Sequence, residues 1–158
     1  MISIEEYKNP AENPEIVKLV YFSMRNKFTS VSDPDGLTFA EVRQILEKQT
    51  VSVVKDDDRI VGITRTSDVD FVLKSKLGLD KELAYKNLGL IYIAKKERGH
   101  GYASQVITHF MKQHKNLIYL AHVSNIASNK VAEKHLQFFK QHGAFRVFEP
   151  YNVYKIEQ

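Results

Sequence analysis

Leu88-Gly89-Leu90-Ile91-Tyr92-Ile93-Ala94-Lys95-Lys96-Glu97-Arg98-Gly99-His100-Gly101-Tyr102-Ala103-Ser104 is the stretch from which the rest of this sequence is best read. Its first seven residues are the most strand-like run in the chain. Behind Ser104, the apolar residues Val106, Ile107, Phe110 and Met111 recur at helical spacing. A strand and an amphipathic helix are thus joined by a loop holding Gly99 and Gly101. Two glycines let the backbone approach a ligand closely, and the turn aims successive N–H groups toward the start of a helix. Those donors have no partner inside the helix, and with the helix dipole they favour an anion such as a phosphate or pyrophosphate. Arg98, with Lys95 and Lys96 nearby, adds charge-assisted contacts. No Gly-Lys-Ser/Thr ending makes this a Walker loop, and the dinucleotide fingerprint needs a third glycine. A plain tight turn would use the same two glycines, so the loop alone leaves its chemistry open.

The flanking segments supply the order of elements. Ile2-Ser3-Ile4 reads as a short first strand, and Asn13-Pro14-Glu15 as a helix start running to about Arg25. Thr29 to Gly36 is a loop with strong turn chemistry at Asp33-Pro34-Asp35-Gly36. Thr38 and Glu41 have capping-box spacing ahead of Val42, Ile45 and Leu46, which predicts a second helix. Val51 to Val54 and Ile60 to Thr64 read as a hairpin turned by Asp56-Asp57-Asp58. The triple Asp lacks the spacing and closing Glu of a calcium loop. A short helix is expected around Leu77–Tyr85, and a strand at Leu117–Val123. From about Asn129, Val131, Ala132, Leu136 and Phe139 repeat at helical spacing up to Gly143, a natural helix stop. Phe145–Phe148 and Asn152–Ile156 read as two final strands. The order is β-α-α-β-β-β-α-β-α-β-β, a single α/β domain over residues 1–158 with no repeats or low-complexity tracts.

Composition narrows the chemistry. The 158 residues include no cysteine, which excludes disulfides, thiolate metal sites and a cysteine nucleophile. A reducing cytoplasm is therefore the expected location. No apolar run nears the about 18 residues of a membrane span, and Glu5, Glu6, Glu12 and Glu15 argue against a signal peptide. Charge is unevenly placed: residues 1–70 hold 9 Lys/Arg against 13 Asp/Glu, net −4, and residues 71–158 hold 14 against 6, net +8. The basic half suits a polyanionic ligand, whether nucleic acid, a phosphorylated cofactor or a membrane surface; a solvated lysine-rich surface would carry the same charge. No clustered Lys/Arg helix or aromatic stacking platform points to nucleic acid. All six histidines lie between positions 100 and 142, but none pairs at i, i+4 with a matching acid, so no metal is expected.

The strand, the loop Arg98-Gly99-His100-Gly101-Tyr102-Ala103 and the helix behind it resemble motif A of the GNAT family of N-acetyltransferases. That loop reads Arg/Gln, two residues, Gly, one residue, Gly/Ala, and the match is complete at those positions. The hairpin ending in Val61-Gly62, the strand Leu117–Val123 and the helix running into Gly143 fall in the same order, so the resemblance covers about residues 2–156. It implies an acyl-CoA N-acyltransferase fold: a mixed, mostly antiparallel central sheet with splayed strands, flanked by about four helices. It further implies acetyl-CoA bound where the strands corresponding to Leu88–Ala94 and Leu117–Val123 splay apart. The backbone around Ile91 and Ile93 would pair with the pantetheine arm. The amides of Arg98, Gly99, His100, Gly101, Tyr102, Ala103 and Ser104 would hold the pyrophosphate, and Asn129 or, second, Asn125 would contact the cofactor.

The resemblance also frames catalysis. The family commonly places a Tyr four residues before the helix-ending Gly as general acid; that position here is Phe139. A shifted helix register, Tyr151, Tyr154 or water would then answer for it, a CoA thiol of pKa roughly 8.5 being a tolerable leaving group without a dedicated acid. His122, a strand residue at the splayed edge, is the candidate base, with a backbone-bonded strand histidine as the structural alternative. Asp33, Asp35, Asp68 and Asp70 would suit a cationic acceptor or ordinary turns alike. The expected reaction is direct attack of a primary amine, on a small molecule or peptide, in a ternary complex without a covalent enzyme intermediate. A non-catalytic acyl-CoA-binding regulatory module, motivated by Phe139, is one alternative, and an acetyltransferase directed at an aminoacyl-tRNA or other nucleic acid, motivated by the basic half, is the other. A homodimer is an open expectation, dimers being common in the family.

Overall fold

In the computed structural model, which describes residues 2–24, 38–47, 51–143 and 150–157, local chemistry sets most element starts. The Oδ1 atom of Asn13 accepts from the amides of Glu15 and Ile16 at 3.0 and 3.4 Å, and Pro14 opens helix α1 (Pro14–Met24). Thr38 and Glu41 form a reciprocal capping box at 3.2 and 3.1 Å, starting α2 (Phe39–Leu46). Asp70 accepts from the amide of Leu73 at 2.8 Å, and Gly78 at φ 69° closes α3 (Phe71–Leu77). This helix precedes the one expected around Leu77–Tyr85. The Asp70 cap and the Gly78 stop bracket it, whereas residues 79–85 hold no helix.

The chain divides into two compact units, Met1–Arg65 with Leu90–Tyr102, and Thr66–Gly89 with Ala103–Gln158. In the first, β1 (Ile2–Tyr7) pairs antiparallel with β2 (Val51–Asp56) from Ile2↔Asp56 to Tyr7↔Val51. β2 in turn pairs antiparallel with β3 (Arg59–Asp68) through Asp56↔Arg59, with a register shift at Val54/Lys55. The expected triple-Asp turn is present, with Asp57 at φ 54°, the left-handed conformation that Asp tolerates in a two-residue hairpin. Ile16, Val17 and Val20 of α1 and Val42 and Leu46 of α2 pack on Val51, Val53 and Ile63 to form this unit's core.

Strand β4 (Lys86–Ile93) contributes its second half to this unit, lying next to β3. A Cβ built on Gly62 would stand 2.3 Å from the Tyr92 carbonyl oxygen and 3.1 Å from Ile93 Cα, so glycine is the residue that lets the two backbones meet. Beside it, buried Thr64 donates its hydroxyl to the Leu90 carbonyl at 2.6 Å.

In the second unit, β4 pairs parallel with β5 (Leu117–His122) at Lys86↔Leu117 and Asn87↔Ile118. β7 (Tyr151–Ile156) lies between β5 and β6 (Gln137–His142), antiparallel to both. Helix α4 (Tyr102–Gln113) precedes β5, and α5 (Ile126–His135) follows it. Val69, Leu77, Leu79, Tyr85, Ile118 and Val153 form the core. The chain is of mixed α/β class, with a mostly antiparallel seven-stranded sheet and five α-helices among the described residues.

One expectation is overturned here. The helix read from about Asn129 to Gly143 stops at His135; Leu136 is extended, and residues 137–142 are a strand. Phe139 falls at helical spacing from Leu136, but β7 pairs with Gln137, Phe138, Lys140, Gln141 and His142, skipping Phe139 at a register shift, and this pairing outweighs the local pattern. Gly143 therefore follows a strand. The strand read at Phe145–Phe148 lies outside the described residues.

Gly62→Ala is expected to destabilise the fold by about 1–3 kcal/mol, because the overlap falls on backbone that cannot rotate away. A urea titration reads this as a lower midpoint at constant slope; an unchanged midpoint would show that β3 and β4 part without cost.

Candidate active site

The double-glycine loop is built from the end of β4 forward. After Ile93 the Ala94 amide donates to Val61 O at 2.9 Å, and a 3-10 turn over Lys95–Glu97 follows. Gly99 at φ 86° and Gly101 at φ 76° then carry the chain to Tyr102, the first residue of α4. These are left-handed conformations, which L side chains adopt at a cost of roughly 1–2 kcal/mol. A Cβ on either glycine would meet nothing within 4 Å, so the loop faces open space. The amides at the start of α4 have no acceptor within the helix and add the positive end of its dipole. Lys95, Lys96, Arg98 and His100 are exposed around it.

Side chains hold this loop in shape. Arg98 donates Nε to Ile93 O at 3.0 Å and lies 5.5 Å over the Tyr92 ring, so part of its fork is committed to the chain's own strand. His100 Nδ1 lies 2.9 Å from Glu97 O; a carbonyl only accepts, so Nδ1 carries a proton. Tyr102 donates its hydroxyl to Asp56 Oδ2 at 2.5 Å, which holds the Asp56 carboxyl below the usual carboxylate range and the Tyr102 phenol above its own. Behind the loop, Ser104 Oγ lies 2.7 Å from His135 Nε2. Along β4, Ile93 is buried and Ile91 half-buried; the carbonyls of Leu90 and Ile93 already accept from Thr64 and Arg98.

His122, Asn129 and Tyr154, far apart in the chain, form one network in the second unit. Asn129 is buried and donates Nδ2 to the carbonyls of His122 and Asn125, each at 2.8 Å. Its Oδ1 accepts from Asn152 Nδ2 at 2.9 Å and from the Tyr154 hydroxyl at 2.6 Å. Two donors and two acceptor positions are thus engaged, the full capacity of an amide side chain. Tyr154 is 1% exposed, and burial raises its phenol, with Glu133 adding to the shift. Asn125 caps α5 by accepting from the Ser128 amide at 3.2 Å. The His122 ring is buried and packs 4.4 Å from the Tyr151 ring.

Other candidates have structural partners. Phe139 sits on β6 with Lys155 Nζ 4.0 Å from its ring centroid, so the comparison that placed it at a helical catalytic position has no basis. The motive for a non-catalytic reading goes with it. Asp68 pairs with Lys86 at 2.6 Å, and Asp70 caps α3. Asp33 and Asp35 lie outside the described residues. Sequence reasoning missed Asp56, Arg59, Glu97, His135 and Asn152 as parts of these networks. Only Asn152 carried a signal, its i, i+2 spacing to Tyr154 on a strand. Among the described residues no group of three potential ligands could hold a metal ion, and no helix is long and apolar enough to cross a membrane.

Asn129→Ala would leave the Tyr154 and Asn152 donors and two carbonyls without this partner in a buried site. It should cost about 2 kcal/mol or more of stability by chemical denaturation; a loss of cofactor affinity at unchanged stability would instead mark Asn129 as a ligand-binding group.

The acetyltransferase (GNAT) family profile matches residues 18–138. No curated protein matches the chain. Among solved structures, a GNAT-family acetyltransferase from Streptococcus pneumoniae is similar at 19% identity and TM-score 0.67, with 100% of both chains covered. RimL, a ribosomal L7/L12 alpha-N-protein acetyltransferase in complex with coenzyme A, aligns at 16% identity and TM-score 0.71 over 99% of this chain and 94% of its own. An acetyltransferase from Salmonella typhimurium that modifies the N-terminal serine of 50S ribosomal subunit protein L7/L12 aligns at 15% identity and TM-score 0.69, covering 100% and 99%. With a profile spanning most of its length and the family's loop at the head of α4, the chain belongs to the GNAT family of acetyltransferases, acyl-CoA-dependent N-acyltransferases.

Proposed function

We propose that the chain, acting as one domain over residues 1–158, transfers an acetyl group from acetyl-CoA to a primary amine. The observation that carries this reading is the loop with left-handed Gly99 and Gly101, open on its outer face and leading into the start of α4. A pyrophosphate suits it: the amides from Gly99 to Ser104 supply donors, that of Arg98 being turned back to the Lys95 carbonyl at 3.4 Å, and Lys95, Lys96 and the outer part of Arg98 supply charge. The backbone of β4 at Ile91 and Ile93 takes the pantetheine arm, with Ile93 offering its amide, since its carbonyl already accepts from Arg98. Acetyl-CoA, when bound, supplies an activated acyl thioester.

The chain's own residues bind, orient and move a proton. His122 takes a proton from the acceptor amine, directly or through a water, at Nε2, because Nδ1 is shut from solvent. Tyr154 keeps its proton on the Asn129 amide, and its raised pKa makes it a reluctant donor. We assign it the holding of Asn129, and through Asn129 of the His122 carbonyl. Water then protonates the leaving thiolate, whose pKa of roughly 8.5 permits this. The absence of cysteine leaves direct transfer in a ternary complex. Because two similar structures act on ribosomal protein L7/L12, a peptide α-amine is the first acceptor class to test, ahead of small amines.

Calorimetric titration should give micromolar binding of acetyl-CoA. Arg98→Ala/Gly101→Asp should abolish it, since the aspartate combines a left-handed strain with a negative charge at the anion site. His122→Gln is expected to lower kcat by about 10²-fold or more at unchanged KM for acetyl-CoA. Acetyl-CoA bound with no transfer to any amine, peptide or small, would falsify the enzymatic reading.

A further inference from the structure

The β2–β3 turn carries three carboxylates and one cation, Asp56-Asp57-Asp58-Arg59, and reaches both ends of the double-glycine loop. At the far end Tyr102 donates to Asp56. At the near end Arg59 Nη2 lies 3.1 Å from Glu97 Oε2, and the same atom lies 4.0 Å from Asp56 Oδ2. Glu97 directly precedes Arg98, and its side chain is 10% exposed where that of Arg59 is 61% exposed. Every other feature of the loop favours an anion: the amides, the start of α4, Lys95, Lys96 and Arg98. A carboxylate shut from water at its entrance opposes them, and poor solvation lets its field reach further than a surface charge would. The His100 hydrogen bond goes to the Glu97 main chain and leaves the carboxylate's charge untouched. Arg59 is the cation set against it.

We propose that Arg59 is a positioning residue for the phosphate end of the acyl-CoA site, an assignment that rests on the acetyl-CoA reading above. It neutralises and orients Glu97, so the loop meets incoming phosphates with N–H groups and no net negative charge. A single cationic nitrogen, Nη2, faces both carboxylates from one exposed stem. The same contact ties the hairpin to the loop before Arg98, as Tyr102–Asp56 does after Gly101. Tether and charge cancellation are one interaction.

Calorimetry with acetyl-CoA at about 0.02 M and about 0.5 M salt separates these roles. Arg59→Ala should weaken binding about tenfold at low salt, with the loss shrinking as screening shortens the reach of Glu97. Glu97→Gln should bind at least as tightly as the unmodified protein. Arg59→Ala/Glu97→Gln should recover to within about threefold of it, since the carboxylate nearest Arg59 is then neutral and Asp56 keeps the Tyr102 hydroxyl as its donor. Arg59→Lys, which keeps the charge, should stay close to the unmodified protein and decides the matter together with Glu97→Gln if Arg59→Ala does not fold. Unchanged affinity in Arg59→Ala overturns the proposal. So does a double variant as weak as Arg59→Ala with a loss that salt does not move, because the contact is then a tether alone. Weakened binding in Glu97→Gln overturns it as well. No binding by the unmodified protein overturns the acetyl-CoA reading, and this assignment with it.

Discussion

A loop that presents consecutive N–H groups to a ligand cannot use those groups to hold itself together. That constraint organises the first unit of this chain. Gly99 and Gly101 adopt left-handed backbone that leaves the loop open, and a helix begins at once behind it, where the first amides again lack internal acceptors. Stability must then come from side chains. Arg98 returns to the Ile93 carbonyl, His100 to that of Glu97, Tyr102 to Asp56, and Arg59 to Glu97. Each contact fixes the backbone without drawing on a loop amide; the Arg98 amide itself turns back to the Lys95 carbonyl at 3.4 Å. Residues named by the motif therefore do two kinds of work. Arg98 reads as a phosphate ligand from its place in the motif, yet part of its guanidinium closes the turn.

The second unit follows the opposite logic. Its polar residues are turned inward and saturated. Asn129 joins the end of β5, the start of α5 and two side chains of β7 through four hydrogen bonds, in a setting where an unmatched polar group would be costly. Such a node sets the geometry of its neighbours more than it offers itself to a ligand. It fixes the carbonyl of His122, and with it the end of β5 on which the imidazole stands. Tyr154, which looks in the sequence like a proton donor in reserve, is one of the groups that hold the node.

Where local chemistry decides an element, the sequence reads correctly. Asn13-Pro14, the Thr38/Glu41 box and the Asp56–Arg59 turn each satisfy their own backbone groups within a few residues, so no distant partner is needed to call them into being. Helix α3 had its signals too, in Asp70 and Gly78, but the exposed Phe71 and Val72 behind the cap blurred its apolar face. The run from Leu136 to His142 misleads for a different reason. Leu136 and Phe139 keep a helical interval, while the true partner of that segment is β7, which lies on the far side of residues 143–150. A pairing made across such a gap leaves no trace in local periodicity.

The amino-acid sequence by itself determined the class of the fold, the strand–loop–helix unit, the two glycines at its centre and the exclusion of cysteine chemistry. All of these follow from short-range patterns of spacing and composition. Only the tertiary structure decided that Phe139 is a strand residue under a lysine, that Asn129 has no hydrogen-bonding capacity to spare, and that Arg59 faces Glu97 beside the loop. Hydrogen bonds and charge pairs between distant segments depend on which strands lie side by side and in what register. That is settled by backbone pairing and burial over the whole sheet, and no local window of sequence contains it.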